Sequence, residues 1–448
     1  MHIKTLAAYS CIFLYNPRIL LYLNKYLSLL KQPFLYEEYC FNRLRRIIYH
    51  SYRRAPYYND IFSKSGLVVN GKIQLDQFKQ IPILTKAIIR QRMDALQSSQ
   101  KNMKTYINTS GGSTGEPVQF VQDKQYYTQM VADTLLFSCL NGKHPGQKEL
   151  KIWGSERDIF EGTVGAREKI MNFLFNRRFL NSFRLTHALI ENYIATIQKQ
   201  KPFQIWTYTD SIYEIAKYIN KNDIRVFSPQ NIICTAGTLY PEMRLEIQNA
   251  FPKSHVINQY GSREVGQIGC QTIDNDDMMI FLHANYVELV DPDSLEIIDE
   301  PYRPGKILVT NLNNYSMPLI RFDIGDMAEY APKNRTGTLF THFARLHGRE
   351  NTHLINKNGD RIHGEYFTHL FYNKTWVQQF QVIQKNDAQI EILFVSHKKN
   401  PMLSKDFDDI ENKIKCVMGN HVHVDFIRVN EINKLASGKY QFVRRDFS

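Results

Sequence analysis

The chain of 448 residues is 43% hydrophobic and 22% charged, which is the composition of an ordinary globular protein. Its length allows a large buried core and a division into two or more domains. Lys and Arg total 56 against 44 acidic residues, and the formal charge of +12 favours anionic partners such as nucleotides, nucleic acids or acidic membrane surfaces.

Six cysteines stand far apart, at positions 11, 40, 139, 234, 270 and 416, and none belongs to a Cys-x-x-Cys pair. This spacing excludes a disulfide framework and fits a reducing cytoplasm. Cys270 and His283 are close enough in sequence to share a metal ion, but two ligands do not make a zinc site. Buried, unreactive cysteines are the favoured interpretation.

Residues 1–34 contain two apolar runs, 6–15 and 19–30, which are separated by an Asn-Pro-Arg break. Neither run is long enough to span a membrane, and no small-residue cleavage site follows, so a removable secretory signal is not expected. The favoured interpretation is a pair of helices packed on their own domain. The alternative is an aromatic, lysine-containing segment that lies on a membrane surface.

Residues 36–62 combine apolar residues at helical spacing with basic residues on the remaining faces. Such a helix packs inward and exposes its charges to solvent. Because no basic motif interleaved with aromatic residues follows, we expect no nucleic-acid partner.

Residues 108–117 hold three glycines and four hydroxyl residues in ten positions. Glycines allow backbone N–H groups to face an anion, and Ser and Thr hydroxyls add uncharged donors. Gly115 is followed by Glu116 and Pro117 instead of the Lys and Ser or Thr of a Walker motif, which disfavours a P-loop NTPase. On its own, this segment fits a phosphate-binding loop and a flexible surface linker equally well.

Helices and short strands alternate after this segment. Hydrophobic periodicity predicts helices over 125–140 and 186–200 and strands over 203–208, 231–235 and 255–259. This order predicts an α/β core. From residue 278 to residue 330, strand-like stretches follow closely on one another, as in a mixed or antiparallel sheet.

A polar segment at residues 348–364 predicts a domain boundary near Arg349. Within it, Asn358-Gly359 favours a type I′ hairpin turn. The residues that follow predict a small α+β module, with strands at 380–383 and 389–395 and a helix at 405–416.

Four further segments accompany the glycine-rich loop: Gln-Tyr-Gly-Ser-Arg-Glu at 259–264, then 319–326, 344–349, and Ser-Gly-Lys at 437–439. In this order and at this spacing they resemble the adenylate-forming enzymes, most closely the branch that holds phenylacetate-CoA ligase and the CapK-type proteins of capsular polysaccharide synthesis. The resemblance covers nearly the whole chain. It implies a large N-terminal α/β domain of mixed sheets and helices, 1–348, and a small, mobile C-terminal α+β lid domain, 349–448.

The resemblance also implies a nucleotide site. The loop of Thr109, Ser110, Gly111, Gly112, Ser113, Thr114 and Gly115 is expected to bind the β- and γ-phosphates of ATP. Adenine and ribose are expected to contact Ala236, Gly237, Tyr260, Gly261, Asp326, Arg345 and Arg349. The Tyr260 ring would stack beside adenine, Asp326 would accept both ribose hydroxyls, and Glu264 would hold Mg²⁺. In isolation, these three residues would be interpreted as a core tyrosine, a turn residue and a surface carboxylate.

Lys439 is expected to be the catalytic residue, because attack of a carboxylate on the α-phosphate builds negative charge that an ammonium group can neutralise. Lys434 competes for this role, but the Ser-Gly-Lys context favours Lys439 by resemblance to the terminal motif of the family. Two residues depart from the family pattern. Glu116 stands where many relatives have Lys, and Asn351 stands at the hinge, where relatives usually have Asp or Lys.

The resemblance implies an enzyme that activates a carboxylic acid with ATP and Mg²⁺ to an acyl-adenylate and transfers the acyl group to a thiol, such as that of CoA, or to an amine. The acid would be a small molecule or a sugar carboxylic acid of cell-surface polysaccharide synthesis, capsule or O-antigen. The enzyme would be cytoplasmic, with or without attachment to the inner face of the membrane. The alternatives are a nucleotide-binding protein that has lost turnover and a membrane-surface assembly protein that uses residues 1–34.

A basic stretch bears on the character of the acid. It contains Arg157, Arg167, Arg177, Arg178, Arg184 and His187. If this stretch lines the acid pocket, it favours a polar or multiply charged acid over a plain aryl acid. A solvated helix face would explain the same residues.

Overall fold

The computed structural model describes residues 3–100, 102–110, 118–153, 172–173, 175–181, 187–333, 337–349, 354–358, 361–362, 367, 370–371, 374, 376–396, 404–432 and 441–447. Its helices include α1 Ile3–Tyr15, α2 Arg18–Leu30, α3 Pro33–Arg54, α4 Pro56–Lys64, α5 Lys86–Leu96, α6 Lys124–Leu140, α7 His187–Gln200, α8 Thr209–Lys221, α9 Pro241–Ala250 and α10 Ser404–Met418, with a 3₁₀ helix at Leu75–Gln80.

The strands of the large domain include β1 Val68–Val69, β2 Lys72–Ile73, β3 Thr105–Thr109, β4 Gln119–Asp123, β5 Glu149–Trp153, β6 Arg177–Asn181, β7 Gln204–Tyr208, β8 Asn231–Thr235, β9 His255–Ser262, β10 Gly266–Thr272, β11 Asn275–Ile280, β12 Asn285–Val290, β13 Gly305–Asn311, β14 Phe322–Tyr330 and β15 His342–Arg349. The strands that follow include β16 Leu354–Ile355, β17 Arg361–Ile362, β18 Val377–Asn386, β19 Gln389–Ser396, β20 His423–Arg428 and β21 Val443–Arg445.

An eleven-stranded mixed sheet forms the centre of the large domain, in the order β12-β13-β14-β15-β11-β10-β9-β8-β7-β5-β6. Neighbouring strands are parallel from β9 to β6 and antiparallel from β12 to β9. Helices α7, α8 and α9 separate the parallel strands in sequence, as the βα alternation predicted. The predicted α/β core and the predicted mixed sheet after residue 278 are confirmed.

The direction of winding changes at β5. The chain leaves β5 to form β6 on one side of it and returns to form β7 on the other side. Such a change leaves a crevice outside the carboxyl ends of the strands, which is where open α/β sheets bind ligands. The ends of β5, β7, β8 and β9 are therefore the place where a site is expected.

The two faces of the parallel strands are covered by different helices. On one face, Ile152, Ile205 and Ile232 are fully buried in a core shared with α7 and α8. On the other face, α6 packs against the strands, and its Phe137 lies 5.4 Å from Trp206 between ring centroids. A cavity remains on this second face beside α6.

Helices α1 and α2 pack on the large domain. Ile12, Ile19, Leu23 and Tyr26 are buried in one core with residues of α6, and the Tyr26 ring stacks on His283 with 3.9 Å between centroids. The favoured interpretation of the N-terminal helices is confirmed. Among the residues that the structure describes, no single helix has the length and apolarity to cross a membrane; α1 and α2 meet that test only as a pair, and they are bent by 113°.

The C-terminal domain is built on a four-stranded sheet in the order β20-β19-β18-β21. Phe380, Ile392 and Ile410 belong to its own buried core, which includes residues of α10. The strands and the helix predicted for this module are confirmed, and β16 pairs with β17 as expected for the predicted hairpin. The turn residue Gly359 lies outside the described residues, and the domain boundary near residue 348 stays a prediction.

All six cysteines are free, and the expectation that they are buried holds for Cys40, Cys234 and Cys270, whereas Cys11 and Cys139 are partly buried and Cys416 is exposed. His283 uses both ring nitrogens, Nδ1 with the Tyr36 hydroxyl at 2.7 Å and Nε2 with the Asp133 carboxylate at 2.9 Å. Burial raises the pKa of the fully buried Cys270 thiol. Within the described ranges no group of three candidate metal ligands occurs, and Cys270 is an inert core residue.

A buried ion pair anchors the start of the 319–326 segment in the sheet. Arg321 Nε donates to the Glu288 carboxylate at 3.1 Å, and a guanidinium N–H donates to the backbone carbonyl of Lys79 at 2.7 Å. The two charged side chains are only 4% and 5% exposed. Burial raises the pKa of Glu288 to about 7, although Arg321 acts in the opposite direction.

Replacement of Arg321 by methionine is expected to lower the free energy of unfolding by about 3–5 kcal/mol, because the Glu288 carboxylate would be left buried without its cation. The double variant Arg321→Met/Glu288→Met is expected to lose less than the single one. Urea denaturation followed by circular dichroism measures both. The control is Arg303→Met, which removes a more exposed pair with Asp291 and is expected to cost less than about 1 kcal/mol. Equal losses in the two single variants would contradict the importance of burial.

Candidate active site

A pocket of about 560 Å³ opens at the carboxyl ends of β5, β7, β8 and β9. Its lining includes Trp153, Tyr208, Thr235 and Tyr260 from these strands, Met130 and Thr134 from α6, Asp326, Leu346 and Gly348 from β14 and β15, and Gln441, Phe442 and Val443 from the C-terminal domain. The pocket therefore lies where the winding of the sheet predicts it, and it receives residues from the large domain and from the C-terminal domain.

Tyr260 and Asp326 meet in this pocket from two different strands. The Tyr260 hydroxyl donates to Asp326 Oδ2 at 2.7 Å, and Asp326 is only 9% exposed. The bond orients the carboxylate beside the tyrosine ring, which is the combination of flat ring and acceptor that adenine and ribose require. Gly261 follows, and a Cβ there would lie 2.6 Å from the carbonyl oxygen of Gly266. The close approach of β9 and β10 therefore requires glycine at this position.

The turn after β8 carries Ala236 and Gly237, which both line the pocket. Ala236 has a φ of 69°, in the left-handed region that costs a non-glycine residue on the order of 1 kcal/mol. The Thr209 hydroxyl lies within hydrogen-bond distance of the carbonyls of Thr235 and Gly237, at 3.3 and 3.1 Å. The first residue of α8 thus holds this strained turn against the pocket.

The base of the glycine-rich loop also lies at the pocket. Ser110 is buried; its hydroxyl accepts from the Val118 N–H at 3.0 Å, and its own N–H donates to the Val118 carbonyl at 2.9 Å. Arg263 donates to the carbonyl of Thr109 at 3.4 Å, which ties the loop base to the 259–264 segment. The loop residues Gly111, Gly112, Ser113, Thr114 and Gly115 lie outside the described residues.

Glu264 lies in the pocket lining and is 6% exposed, so its interpretation as a surface carboxylate is wrong. Its Oε1 lies 3.6 Å from Lys86 Nζ. In the part of the chain that the structure describes, no three metal-ligating side chains stand together. One carboxylate fits a Mg²⁺ ion that arrives with nucleotide phosphates, because such ions are held by one or two carboxylates together with the phosphates.

The remaining expected site residues are Arg345, Arg349, Asn351 and Lys439. Arg345 is exposed on β15 and does not line the pocket. The backbone of Arg349 pairs with that of Asp326 at the end of the same strand. Asn351 and Lys439 lie outside the described residues. The roles assigned to these residues stay predictions.

The C-terminal domain reaches the pocket through the segment that follows Ser-Gly-Lys. Gln441 and Phe442 line the pocket. The Phe442 carbonyl accepts from the Val382 N–H at 2.8 Å, and its ring lies 5.3 Å from that of Phe380. This segment is therefore anchored on the core of the C-terminal domain and shares the pocket with Tyr260 and Asp326 of the large domain.

Comparison with known proteins identifies relatives of both parts of the chain. Residues 354–446 match the CapK C-terminal domain family. The protein CapK of Staphylococcus aureus is 25% identical over 411 residues, which cover 87% of this chain and 85% of CapK. The phenylacetate-coenzyme A ligase of Thermus thermophilus is 22% identical over 297 residues, which cover 64% of this chain and 63% of the ligase.

Solved structures share the fold. 2-Hydroxyisobutyryl-CoA ligase in the postadenylation state, in complex with R3-HIB-AMP, superposes with a TM-score of 0.70 at 15% identity, over 91% of this chain and 89% of the ligase. The same ligase in the thioesterification state, with 2-HIB-AMP and CoA, gives a TM-score of 0.57 at 14% identity over the same shares. The chain is thus similar in sequence to CapK and to a phenylacetate-coenzyme A ligase, and it shares the fold of adenylate-forming CoA ligases, as the sequence motifs predicted.

The basic lining that the sequence favoured for the expected acid pocket is not found in the described residues of that stretch. Arg177 pairs with Glu149 at 2.6 Å. Arg178 and His187 are exposed and do not line the pocket. The remaining members of the stretch, Arg157, Arg167 and Arg184, lie outside the described residues.

Sequence reasoning missed the residues at the β5 end of the pocket, namely Lys151, Trp153, Trp206 and Tyr208. A signal for them was present. Lys-x-Trp ends one buried strand and Trp-x-Tyr ends the strand beside it. Since alternate residues of a strand face the same side, this spacing places all four side chains on one face of the sheet.

Replacement of Asp326 by alanine is expected to weaken AMP binding about ten- to hundred-fold, because a charged acceptor contributes about 1.5–3 kcal/mol to its hydrogen bonds. Tyr260→Phe keeps the ring and loses only the bond that orients the carboxylate, so a smaller, few-fold loss is expected. Isothermal titration calorimetry with AMP measures both. Asp291→Ala, in a turn outside the pocket, is the control and is expected to bind as the unaltered protein does. Unchanged AMP affinity in Asp326→Ala would exclude the ribose role.

Proposed function

We propose that this protein activates a carboxylic acid with ATP to an acyl-adenylate and then transfers the acyl group to a thiol or an amine. The observation that carries the proposal is the Tyr260–Asp326 pair, which shares one pocket with Ser110 at the base of the glycine-rich loop and with Gln441 of the C-terminal domain. The Tyr260–Asp326 pair suits an adenosine group, Ser110 lies at the base of the loop that would bind its phosphates, and Gln441 belongs to the domain that would close over both.

The chemistry takes two steps. A carboxylate oxygen of the acid attacks the α-phosphorus of ATP, the bond to pyrophosphate breaks, and acyl-AMP forms. The sulfur of a thiol such as CoA, or the nitrogen of an amine, then attacks the acyl carbon; AMP leaves with the bonding electrons and the acceptor loses its proton. Adenylation is useful because it converts a carboxylate oxygen into part of a good leaving group.

The residues of the large domain bind and orient the nucleotide. Asp326 would accept the ribose hydroxyls, and the Tyr260 hydroxyl keeps that carboxylate in place. Glu264 would hold Mg²⁺, which when bound neutralises phosphate charge. Thr109 and Ser110 begin the loop that would bind the β- and γ-phosphates through its N–H and hydroxyl groups.

Residues 349–448 would act as the lid, with Asn351 at the hinge and Lys439 as the catalytic cation. Gln441, two residues after Lys439 in the sequence, lines the pocket, which supports this placement. The higher TM-score with the postadenylation state than with the thioesterification state supports a lid position distinct from the one used for acyl transfer.

The similarity to CapK supports a place in cell-surface polysaccharide synthesis, capsule or O-antigen. The acid would then be a small molecule or a sugar carboxylic acid. A cytoplasmic enzyme would have ATP and CoA at hand.

Lys439→Ala is expected to slow acid-dependent ATP–pyrophosphate exchange about 100-fold or more, because a preorganised charge that meets the transition state is lost. ATP binding, measured by calorimetry, is expected to persist. Lys434→Ala, five residues earlier, is the matched control and should retain most of the activity. An unchanged exchange rate in Lys439→Ala would remove this residue from the mechanism.

The main rival is a nucleotide-binding protein without turnover, because Glu116 and Asn351 depart from the family pattern. Unaltered protein that binds ATP and shows no pyrophosphate exchange with a broad panel of acids would establish that rival.

We also propose that the enzyme attaches to the inner face of the membrane through its N-terminal helices. Exposed apolar side chains with exposed fractions between 43% and 83% are concentrated there: Leu6, Phe13, Leu14, Tyr15, Leu21, Phe34 and Leu35. Exposed cations stand among them: Lys4, Arg18, Lys25 and Lys31. The first acidic residue of the chain is Glu37. Apolar groups beside cations, without carboxylates, suit an anionic lipid surface.

Sedimentation with vesicles tests this attachment. Binding to phosphatidylglycerol-containing vesicles is expected to exceed binding to phosphatidylcholine vesicles and to fall at high salt. The variant Leu14→Ser/Phe34→Ser should bind several-fold more weakly, whereas Leu245→Ser/Tyr302→Ser, which alters exposed apolar residues elsewhere, should bind normally. Failure to sediment with either vesicle would contradict the attachment. A dimer in light scattering that the first variant abolishes would show that a second copy of the chain covers this surface instead.

A further inference from the structure

Lys151 occupies a position in the pocket that the nucleotide chemistry does not use. It lies on β5 between Leu150 and Ile152, which are fully buried in the core on the opposite face of the sheet. Its own side chain lines the pocket, and its Cα is paired with that of Trp206 on β7. The alternation of side chains along the strand thus directs a cation into the pocket.

Aromatic rings surround this cation. Lys151 Nζ lies 4.5 Å from the centroid of the Trp206 ring and 5.9 Å from those of Trp153 and Phe179. Tyr208 extends the same wall, with its ring 4.4 Å from that of Trp153. Such contacts stabilise an ammonium group without giving it an anionic partner. No residue in the described ranges forms a hydrogen bond or an ion pair with the Lys151 side chain.

Trp206 adds a second donor at the same place. It is 5% exposed, and its indole N–H has no hydrogen-bond acceptor among the described residues. Buried donors are normally paired, so an unpaired one in a pocket wall indicates a ligand acceptor. Glu149 lies on the same face of β5, two residues before Lys151. Its carboxylate is already paired with Lys143 at 2.8 Å and with Arg177 at 2.6 Å. In the described part of the chain, neither the Lys151 ammonium nor the Trp206 N–H therefore has a protein acceptor at this end of the pocket.

The cation stands away from the nucleotide residues. In the sheet order β9-β8-β7-β5, Lys151 is three strands from Tyr260, a separation of about 14 Å at about 4.8 Å per strand. The base of the phosphate loop lies beside β9 as well, through the contact between Arg263 and Thr109. This separation favours a group of the acid over a phosphate of the nucleotide as the anion at Lys151.

We infer that the acid activated by this enzyme carries a second anionic group, a distal carboxylate, that binds the Lys151 ammonium and the Trp206 N–H while the body of the acid packs on Trp153 and Tyr208. This inference rests on the adenylation function proposed above, and it makes Lys151 a specificity-determining residue. A monocarboxylic acid of the same shape leaves both donors without an acceptor and binds more weakly.

The charge of Lys151 makes the preference depend on pH. Burial, together with the charges of Arg177 and Lys143 and against the opposing charge of Glu149, lowers the pKa of Lys151 to about 8. The ammonium is charged below this pKa and loses its charge as the pH rises through it, so the affinity for a dianionic acid falls above about pH 8. Burial alone would raise the pKa of Glu149, but Lys143 and Arg177 hold it well below its usual range, so Glu149 stays ionised here. Asp210 also lines the pocket.

Tryptophan fluorescence measures binding directly, since Trp153 and Trp206 are two of the three tryptophans in the chain. The probes are matched pairs in which a methyl group replaces one carboxylate: 4-carboxyphenylacetic and 4-methylphenylacetic acid, and glutaric and pentanoic acid. We expect the dicarboxylic member of a pair to bind at least about ten-fold more tightly, with the preference lost above pH 8. Lys151→Met should abolish the preference, and Lys151→Arg should retain it. Unchanged AMP affinity shows that the variants are folded.

Two results overturn the inference: no dicarboxylic preference in either pair, or a preference that survives Lys151→Met. ATP–pyrophosphate exchange on the same variants separates this inference from the proposed function. A Lys151-dependent preference without exchange for any acid would overturn adenylation and leave the anion site. Exchange that is equally fast with both members of a pair, and that Lys151→Met alters for neither, would leave adenylation and overturn the site.

Discussion

Parallel pairing of β5, β7, β8 and β9 is the constraint on which the rest of the structure depends. Parallel strands end at the same edge of a sheet, so the residues that follow each strand meet in one crevice although they are far apart in sequence. Trp153, Tyr208, the turn at Ala236 and Tyr260 meet in this way. The antiparallel half of the sheet then supplies Asp326, and the C-terminal domain supplies Gln441.

Charge placement distinguishes structural from functional groups in this fold. Glu288 and Glu149 are buried, and both are paired with cations, Arg321 in one case and Lys143 with Arg177 in the other. Such pairs are what a buried charge requires to be tolerated. Lys151 differs, because aromatic rings surround its ammonium and its charge faces a pocket. A partly buried cation that lines a cavity in this way is a mark of ligand recognition.

The sequence predicted the fold well where local patterns decide it. The helix at 125–140 and the strands at 203–208 and 231–235 occur within a few residues of their predicted bounds. The motifs proposed to bind the nucleotide could be located because each is a contiguous segment of distinctive residues. The end of the pocket proposed to bind the acid was not found, since its residues have no contiguous motif and become neighbours only when β5 pairs with β7. For the same reason, Arg177 was expected to meet the acid, whereas its partner is Glu149 on the adjoining strand.

The sequence by itself determined the order of helices and strands, the segments that carry the adenylate-forming resemblance and the two apolar runs of residues 1–34. These properties depend on residues that are close in the chain, so their signals survive without knowledge of distant neighbours. Only the tertiary structure decided that Tyr260 bonds Asp326, that Glu264 is buried and that Lys151 enters the pocket among aromatic rings. Those facts depend on strand order and on which face of the sheet is covered, and both are set by packing between elements that are far apart in the sequence.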